Sequence, residues 1–297
     1  MRLPLLGLLL LAAAGHAAAA DLSSVIAPGA TVQKVVGDLR FIEGPAWDAR
    51  TKSWLFSDIP ADRLYRLDVT DTLSVAAEPS HNSNGNRIDA AGNRYSCEHE
   101  TRQVTRTAPD GTRTVLAATF HGKAFNSPND CVIANDGALW FTDPTYGLAK
   151  RPAEQTCHGV YRLTPGAAEP ELMISDSDQP NGITFSPDGT TLYLADSGKP
   201  HHVRAFTVGP NHLPTAGRVF AVITPGVPDG MRCDTAGRLF VAAGDGVQVF
   251  TPDGTQLGTI AVPETPANCG FGGANGATLL ITAKTSVYRI QLLTPGL

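Results

Sequence analysis

The sequence lacks the signatures of several enzyme classes. It contains no Gly-x-Ser-x-Gly elbow, no His-Glu-x-x-His pair and no Walker loop. These absences argue against an α/β-type serine hydrolase, a zincin-type protease and a nucleotide-hydrolysing enzyme. No Cys-x-x-Cys occurs either, which disfavours a zinc ribbon or a thioredoxin-type site. The five cysteines are Cys97, Cys131, Cys157, Cys233 and Cys269. An odd number leaves at least one unpaired within the chain, and most are expected to act as small buried hydrophobes. There is no basic run, and 23 Lys and Arg stand against 28 Asp and Glu for a net charge of −5. That balance argues against nucleic-acid binding. Helical periodicity is scarce, and no low-complexity linker divides the chain.

The chain has many short apolar runs punctuated by Gly and Pro, the pattern of all-β architecture. Residues 1–20 differ: one Arg, an apolar run, then small residues. This is the three-part form of a secretory signal, with cleavage expected in the region 17–21. Its apolar core is short for a bilayer span. A periplasmic or secreted protein follows, not membrane-bound once the leader is removed. Loss of Arg2 would make it one charge more negative. Residues 21–297 read as one domain.

Residues 179–197 carry the unit that repeats. Ile183 and Phe185 alternate with polar neighbours. The turn Ser186-Pro187-Asp188-Gly189 follows, and then Leu192 and Leu194 alternate again. Period-2 alternation on either side of such a turn predicts a β-hairpin. The same pattern occurs six times, with turns near Asp48, Asp89, Asp136, Asp188, Asp234 and Asn275. Most copies add a third apolar run, such as Leu64-Tyr65-Arg66-Leu67 or Val287-Tyr288-Arg289-Ile290. A multi-strand repeat of roughly 40–50 residues indicates a propeller. Six copies predict six blades, starting near Phe41, His81, Asn126, Gln179, Val227 and Ala267. The last copy lacks a fourth strand, which residues 31–36 can supply; such closure removes two sheet edges.

The residue opening each repeat falls in one register: Glu43, Asn84, Asn129, Asn181, Asp229 and, more weakly, Asn268. In a propeller the first strand of each blade lines the central channel, so these side chains converge at one end of the axis. Two carboxylates with amide oxygens suit a hard divalent cation better than a closed zinc site. Asx residues also cap turns, but the shared register, which includes a Glu, favours the cation. Calcium fits best, with zinc, manganese or magnesium as alternatives. The second strand of each hairpin returns to the same end. Its last residues, among them Asp58, Glu98 with His99, Asp143 and Asp196, are expected at the mouth together with Tyr146. Asn84, Glu98, His99, Asp143 and Tyr146 are therefore expected to contact a polar substrate.

Glu43-Gly44-Pro45-Ala46-Trp47, Cys97-Glu98-His99 with Val104-Thr105-Arg106, and Asn126-Ser127-Pro128-Asn129-Asp130 occur in that order. They are followed by Phe141-Thr142-Asp143-Pro144-Thr145-Tyr146-Gly147, Pro180-Asn181-Gly182 and Pro228-Asp229-Gly230-Met231. In this order and spacing the chain resembles the gluconolactonase/SMP-30/regucalcin family, which is related to the diisopropylfluorophosphatase type of phosphotriesterase. The resemblance implies a six-bladed propeller and a divalent metal held by Glu43, Asn129, Asn181 and Asp229. It also makes Asp229 the candidate for acid/base or nucleophilic work. Animal members carry a sugar-binding Arg two places before the Asn129-like ligand, where this chain has Ser127. The expected activity is metal-dependent hydrolysis of a sugar lactone, a small-molecule substrate. In it the cation polarises the carbonyl and Asp229 moves the proton. The alternatives are an organophosphate or aryl-ester hydrolase on the same fold and a non-catalytic metal-binding scaffold.

Overall fold

A computed structural model describes residues 21–297. The expected leader lies outside the described residues. Among those described there is no α-helix, and the strands form six four-stranded antiparallel sheets and one two-stranded hairpin, Thr119–Phe120 with Lys123–Ala124. The first blade contains Ile42–Asp48, Ser53–Asp58, Arg63–Asp68 and Leu73–Ala77. The next four blades follow in chain order, opening with Ser83–Ile88, Cys131–Ile133, Pro180–Phe185 and Met231–Cys233. The sixth contains Pro266–Gly272, Thr278–Ala283 and Ser286–Gln291, completed by the N-terminal strand Gln33–Val36. This last pairing, Gln33 opposite Arg289 and Lys34 opposite Tyr288, closes the ring from both ends of the chain. The protein is a six-bladed β-propeller, as the repeat predicts.

Each hairpin forms for local reasons. In the fourth blade, Asp188 Oδ1 accepts from Thr190 N at 3.0 Å, and Gly189 takes φ +73° where a side chain would strain the turn. Alternate residues then face the neighbouring blade, where they pack as the core. Ile183, Leu192 and Leu194 meet Trp140 and Val160 of the third blade. Ile42 and Phe56 of the first blade meet Leu280 and Val287 of the sixth, extending the closure into the core.

The inner strands are irregular at one end. Pairing slips between Glu43 and Ala46, between Ser83 and Asn86, between Pro180 and Ile183, and between Pro266 and Asn268. In the third and fifth blades the paired strand begins only at Cys131 and Met231, two residues after Asn129 and Asp229. Bulges of this kind re-aim side chains near functional sites. Here they all fall at the six register residues. Close approach of the inner strands also limits side-chain size. A Cβ on Gly182 would lie 2.3 Å from Asp229 O. The Asn181-Gly182 pair, which looks like a turn in sequence, is therefore needed for packing at the axis.

Candidate active site

The bulges bring Glu43, Asn84, Asn129, Asn181 and Asp229 to a single cavity at one channel mouth. Its volume is about 360 Å³, and His99, Tyr146, Phe41, Ile59, Ser197 and Val227 complete the lining. All four expected ligands and three of the five expected substrate residues meet there.

Glu43 is buried, and its Oε2 accepts from Gly44 N at 2.7 Å and from Asn268 Nδ2 at 2.9 Å. Burial pushes its carboxyl up to about 7, against these two hydrogen bonds. Asp229 is half-buried. Burial raises its carboxyl well above the usual range, with Glu43 and Asp130 adding repulsion and the Asn181 side chain opposing it. The Asn129 side chain makes no hydrogen bond to any described residue, and its amide faces the cavity. Its backbone is fixed, because its N–H donates to Thr142 O at 2.9 Å. Two carboxylates that repel one another, with amide oxygens beside them, form a donor set suited to a hard divalent cation. Among the described residues no group of three His, Cys, Asp or Glu is assembled, so the donor set here is two carboxylates with side-chain amides.

Asn268, the sixth register residue, does not line this cavity. Both ends of its amide are engaged, Nδ2 with Glu43 and Oδ1 with Cys269 N at 2.9 Å. It supports a ligand position from the closing blade.

The strand-end carboxylates have other partners. Asp143 accepts from Asn126 N and Ser127 N, both at 2.7 Å. Asp58 does the same for Arg40 N and Phe41 N, and Asp196 for Asp178 N and Gln179 N. In each case the clamped backbone ends two residues before a register residue: Asn129, Glu43 and Asn181. Asp143 is thus turned away from substrate and toward the loop that carries Asn129. Glu98, in the equivalent place of the second blade, is buried against Arg113, with Nη2 at 2.6 Å, and Thr105 Oγ1 at 2.8 Å. Its longer side chain overshoots the backbone and forms an internal ion pair. The expected substrate contacts therefore reduce to Asn84, His99 and Tyr146.

His99 is buried, with Nε2 3.3 Å from Asn84 Nδ2. Because an amide nitrogen can only donate, the ring nitrogen facing it is the acceptor. Burial, reinforced by the Arg151 charge, lowers the imidazole to about 4. Arg151 Nη2 donates to His99 O at 2.6 Å and to Gly147 O at 2.7 Å. It thereby ties the His99 loop to the loop bearing Tyr146, which is 49% exposed at the rim. Ser127, standing where animal members of the family carry an Arg, is fully buried. Its Oγ donates to Pro144 O at 2.7 Å and accepts from Gly147 N at 3.0 Å. It holds the Tyr146 loop from beneath and does not reach the cavity. His158, for which the sequence suggests no role, pairs through Nδ1 with Asp178 O, away from the cavity. The five cysteines are free thiols, four buried and Cys157 half-buried.

The sequence reading missed the apolar rim of Phe41, Ile59 and Val227. Phe41 and Val227 lie two residues before Glu43 and Asp229. Strand alternation, applied one step further back, would have put them on the channel side. It also missed Asp130, a buried carboxylate whose charge raises both Glu43 and Asp229.

The SMP-30/gluconolactonase/LRE-like family model matches residues 41–285. A gluconolactonase of Zymomonas mobilis is 32% identical over 304 residues, covering 93% of this chain and 85% of that protein. The solved structure of a gluconolactonase from Xanthomonas campestris superimposes with TM-score 0.87 at 35% identity, covering 93% of each chain. A calcium-binding protein, regucalcin, from Agrobacterium tumefaciens shares the fold at TM-score 0.73 and 22% identity, over 89% of this chain and 93% of that one. The match over most of the chain, on the fold and channel mouth described above, makes this protein a member of the SMP-30/gluconolactonase/LRE-like family.

Proposed function

We propose that this protein hydrolyses a sugar lactone with the help of a divalent cation held by Glu43, Asn129, Asn181 and Asp229. The observation that carries the reading is the convergence of these four side chains on one cavity from four different blades. The gluconolactonase names borne by relatives supply the substrate class. When bound, the cation supplies Lewis-acid polarisation of the lactone carbonyl. Calcium is the leading candidate on the all-oxygen donor set, with zinc, manganese and magnesium as alternatives.

The chain's own groups do the rest. Asp229 lines the cavity and takes the proton of the attacking water. The Asn181 side chain favours the ionised form of the Asp229 carboxyl, against the rise caused by burial. Asn84 and His99 present an amide and a neutral imidazole to the sugar hydroxyls, within a wall fixed by Arg151. Tyr146 closes one side and positions the ring. Phe41, Ile59 and Val227 shield the reacting centre from bulk water.

The same apolar rim favours a second reading, an aryl-ester or organophosphate hydrolase, since apolar lining suits such substrates. The residues 1–20 suggest that the protein works outside the cytoplasm, in the periplasm or medium, as one propeller domain over 21–297.

The test is a metal-resolved assay on protein stripped by chelator. Calcium, magnesium, manganese and zinc are restored one at a time while acid release from glucono-1,5-lactone and cation binding by calorimetry are followed. Cation-restored turnover above the spontaneous rate is expected, and Asp229→Asn should lose both binding and turnover. Tight binding with turnover only of phenyl acetate or a phosphotriester would favour the second reading. Undiminished binding and turnover in Asp229→Asn would remove Asp229 from its role. Cation binding with no turnover of any of these substrates would return the protein to the scaffold class, and absence of binding would remove the cation from the reading.

A further inference from the structure

The channel has a second mouth. Four residues beyond Glu43, Asn84, Asn129, Asn181 and Asp229 along the inner strands stand Trp47, Ile88, Ile133, Phe185 and Cys233. These residues line another cavity, of about 390 Å³. Four residues of strand span about 13 Å, so the two cavities occupy opposite ends of one axis. The plug between them is Asp130, which is buried and whose Oδ1 accepts from Cys131 N at 2.9 Å.

Two guanidinium groups face the second cavity. Arg87 and Arg232 each stand three residues beyond a register residue, and both line the cavity. Arg87 Nη2 and Arg232 Nη1 lie 3.5 Å from the two oxygens of Asp130. Each also donates through Nη1 to a main-chain carbonyl, Asn86 O and Met231 O respectively. Nη2 of both arginines is buried with no hydrogen-bond partner. No Asp or Glu lines this cavity; Leu297, the last residue, does, but its carboxylate forms no ion pair with either arginine. Among the described residues Asp130 is the only carboxylate in contact with the two guanidinium groups. A buried charged donor without a partner is costly. Water could fill the hydrogen bonds but not balance the charge.

We propose that this second mouth binds a small organic carboxylate, with its head group on Arg87 and Arg232 and its body against Trp47, Ile133 and Phe185. Two guanidinium groups share one carboxylate contact, and the guanidinium fork matches a second carboxylate. The apolar wall gives no hydrogen bonds, so it selects an organic body over an inorganic ion. This site lies on the opposite side of Asp130 from the lactone cavity and stands independently of the lactonase reading.

The test uses the whole protein freed of metal, so that the first cavity offers no cation to an anion. Butyrate, acetate and inorganic phosphate are titrated calorimetrically at constant ionic strength. Butyrate is expected to bind saturably, one per chain, and more tightly than acetate or phosphate. Arg232→Gln should weaken it at least about tenfold, since a hydrogen bond to a charged group is lost. Asp229→Asn should leave it unchanged. Because Arg232→Gln could disturb folding, the guanidinium Nε–H resonances of the unmutated protein give a second readout: butyrate should shift two of them together along one binding curve. Arg232→Lys should keep folding and bind weakly. No saturable butyrate binding, equal loss in Asp229→Asn, or phosphate binding more tightly than butyrate would each overturn the proposal.

Discussion

Asn268 Nδ2 donates to Glu43 Oε2 at 2.9 Å, a hydrogen bond between the first and last blades. The same ring closure that pairs Gln33–Val36 with Ser286–Gln291 thus reaches the candidate metal site. The amide stabilises the ionised form of a carboxylate that burial would otherwise protonate. Replacing Asn268 by Ala should raise the Glu43 carboxyl further. Calcium affinity at neutral pH should then fall about tenfold, the usual scale for a hydrogen bond to a charged group. Calorimetric titration checks this; unchanged affinity would show that Glu43 is held without Asn268.

Cation binding should depend steeply on pH, with a sign set by Glu43 and Asp229. Both are raised, Glu43 to about 7. Below that value the cation-free protein holds a proton that binding must release, so affinity rises as pH climbs through about 7. The cation-free fold has the opposite trend. A carboxyl with a raised folded value binds its proton more readily folded than unfolded, so stability falls as pH climbs from the ordinary carboxylate range toward 7. Melting scans at about pH 5 and about pH 8, with and without calcium, should show the two trends crossing. Parallel trends would mean that neither carboxylate meets the cation.

The fold was legible because its unit is short and repeated. Apolar alternation and a turn residue in each copy identify the hairpins, and the missing fourth strand is supplied by Gln33–Val36. The register ring was legible for the same reason, since one position read six times stands out from turn chemistry. What alternation cannot show is where a strand-end side chain turns. Asp58, Asp143 and Asp196 bend back to backbone N–H groups, while Glu98, one methylene longer, reaches Arg113. Both outcomes depend on partners 15 to 18 residues away in sequence. The Arg87, Asp130 and Arg232 group is harder still, because Asp130 and Arg232 are 102 residues apart.

His99 should not titrate in the neutral range. Its imidazole is lowered to about 4, first by burial and then by Arg151. The unfolded chain takes up the proton first as pH falls. The stability His99 contributes is therefore complete above its ordinary value and lost as pH drops from about 6.5 toward 4. The total is about 3 kcal/mol. Urea denaturation of the native protein and of His99→Gln, compared at about pH 7.5 and about pH 4.5, should show the native protein losing most of that difference. An imidazole resonance titrating near 6.5 would contradict this and make His99 available to carry a proton.

Ser127→Ala should act on turnover more than on cation binding. The Ser127 hydroxyl bridges Pro144 O and Gly147 N, while its backbone is held separately by Asp143. Removing the hydroxyl leaves Gly147 N without that acceptor and loosens the rim loop bearing Tyr146, so KM should rise several-fold with calcium affinity preserved.

Asp143→Asn should act on both. The carboxylate accepts from two N–H groups, at Asn126 and Ser127, each at 2.7 Å. An amide keeps one acceptor oxygen and turns an NH₂ toward the other donor, leaving that N–H orphaned. The cost should be about 2 kcal/mol of stability, measured by urea denaturation of the cation-free protein at about pH 8, where Asp143, raised to about 7 by burial, is ionised. Because the released segment runs straight into Asn129, calcium affinity should fall as well, although Asp143 does not line the cavity. The exposed turn residue Asp110, whose Oδ1 accepts from Thr112 N far from the cavity lining, is the control; Asp110→Asn should leave affinity unchanged. A loss of stability in Asp143→Asn without a loss of affinity would show that Asn129 is fixed by Thr142 alone, and that the clamp serves folding without setting the ligand.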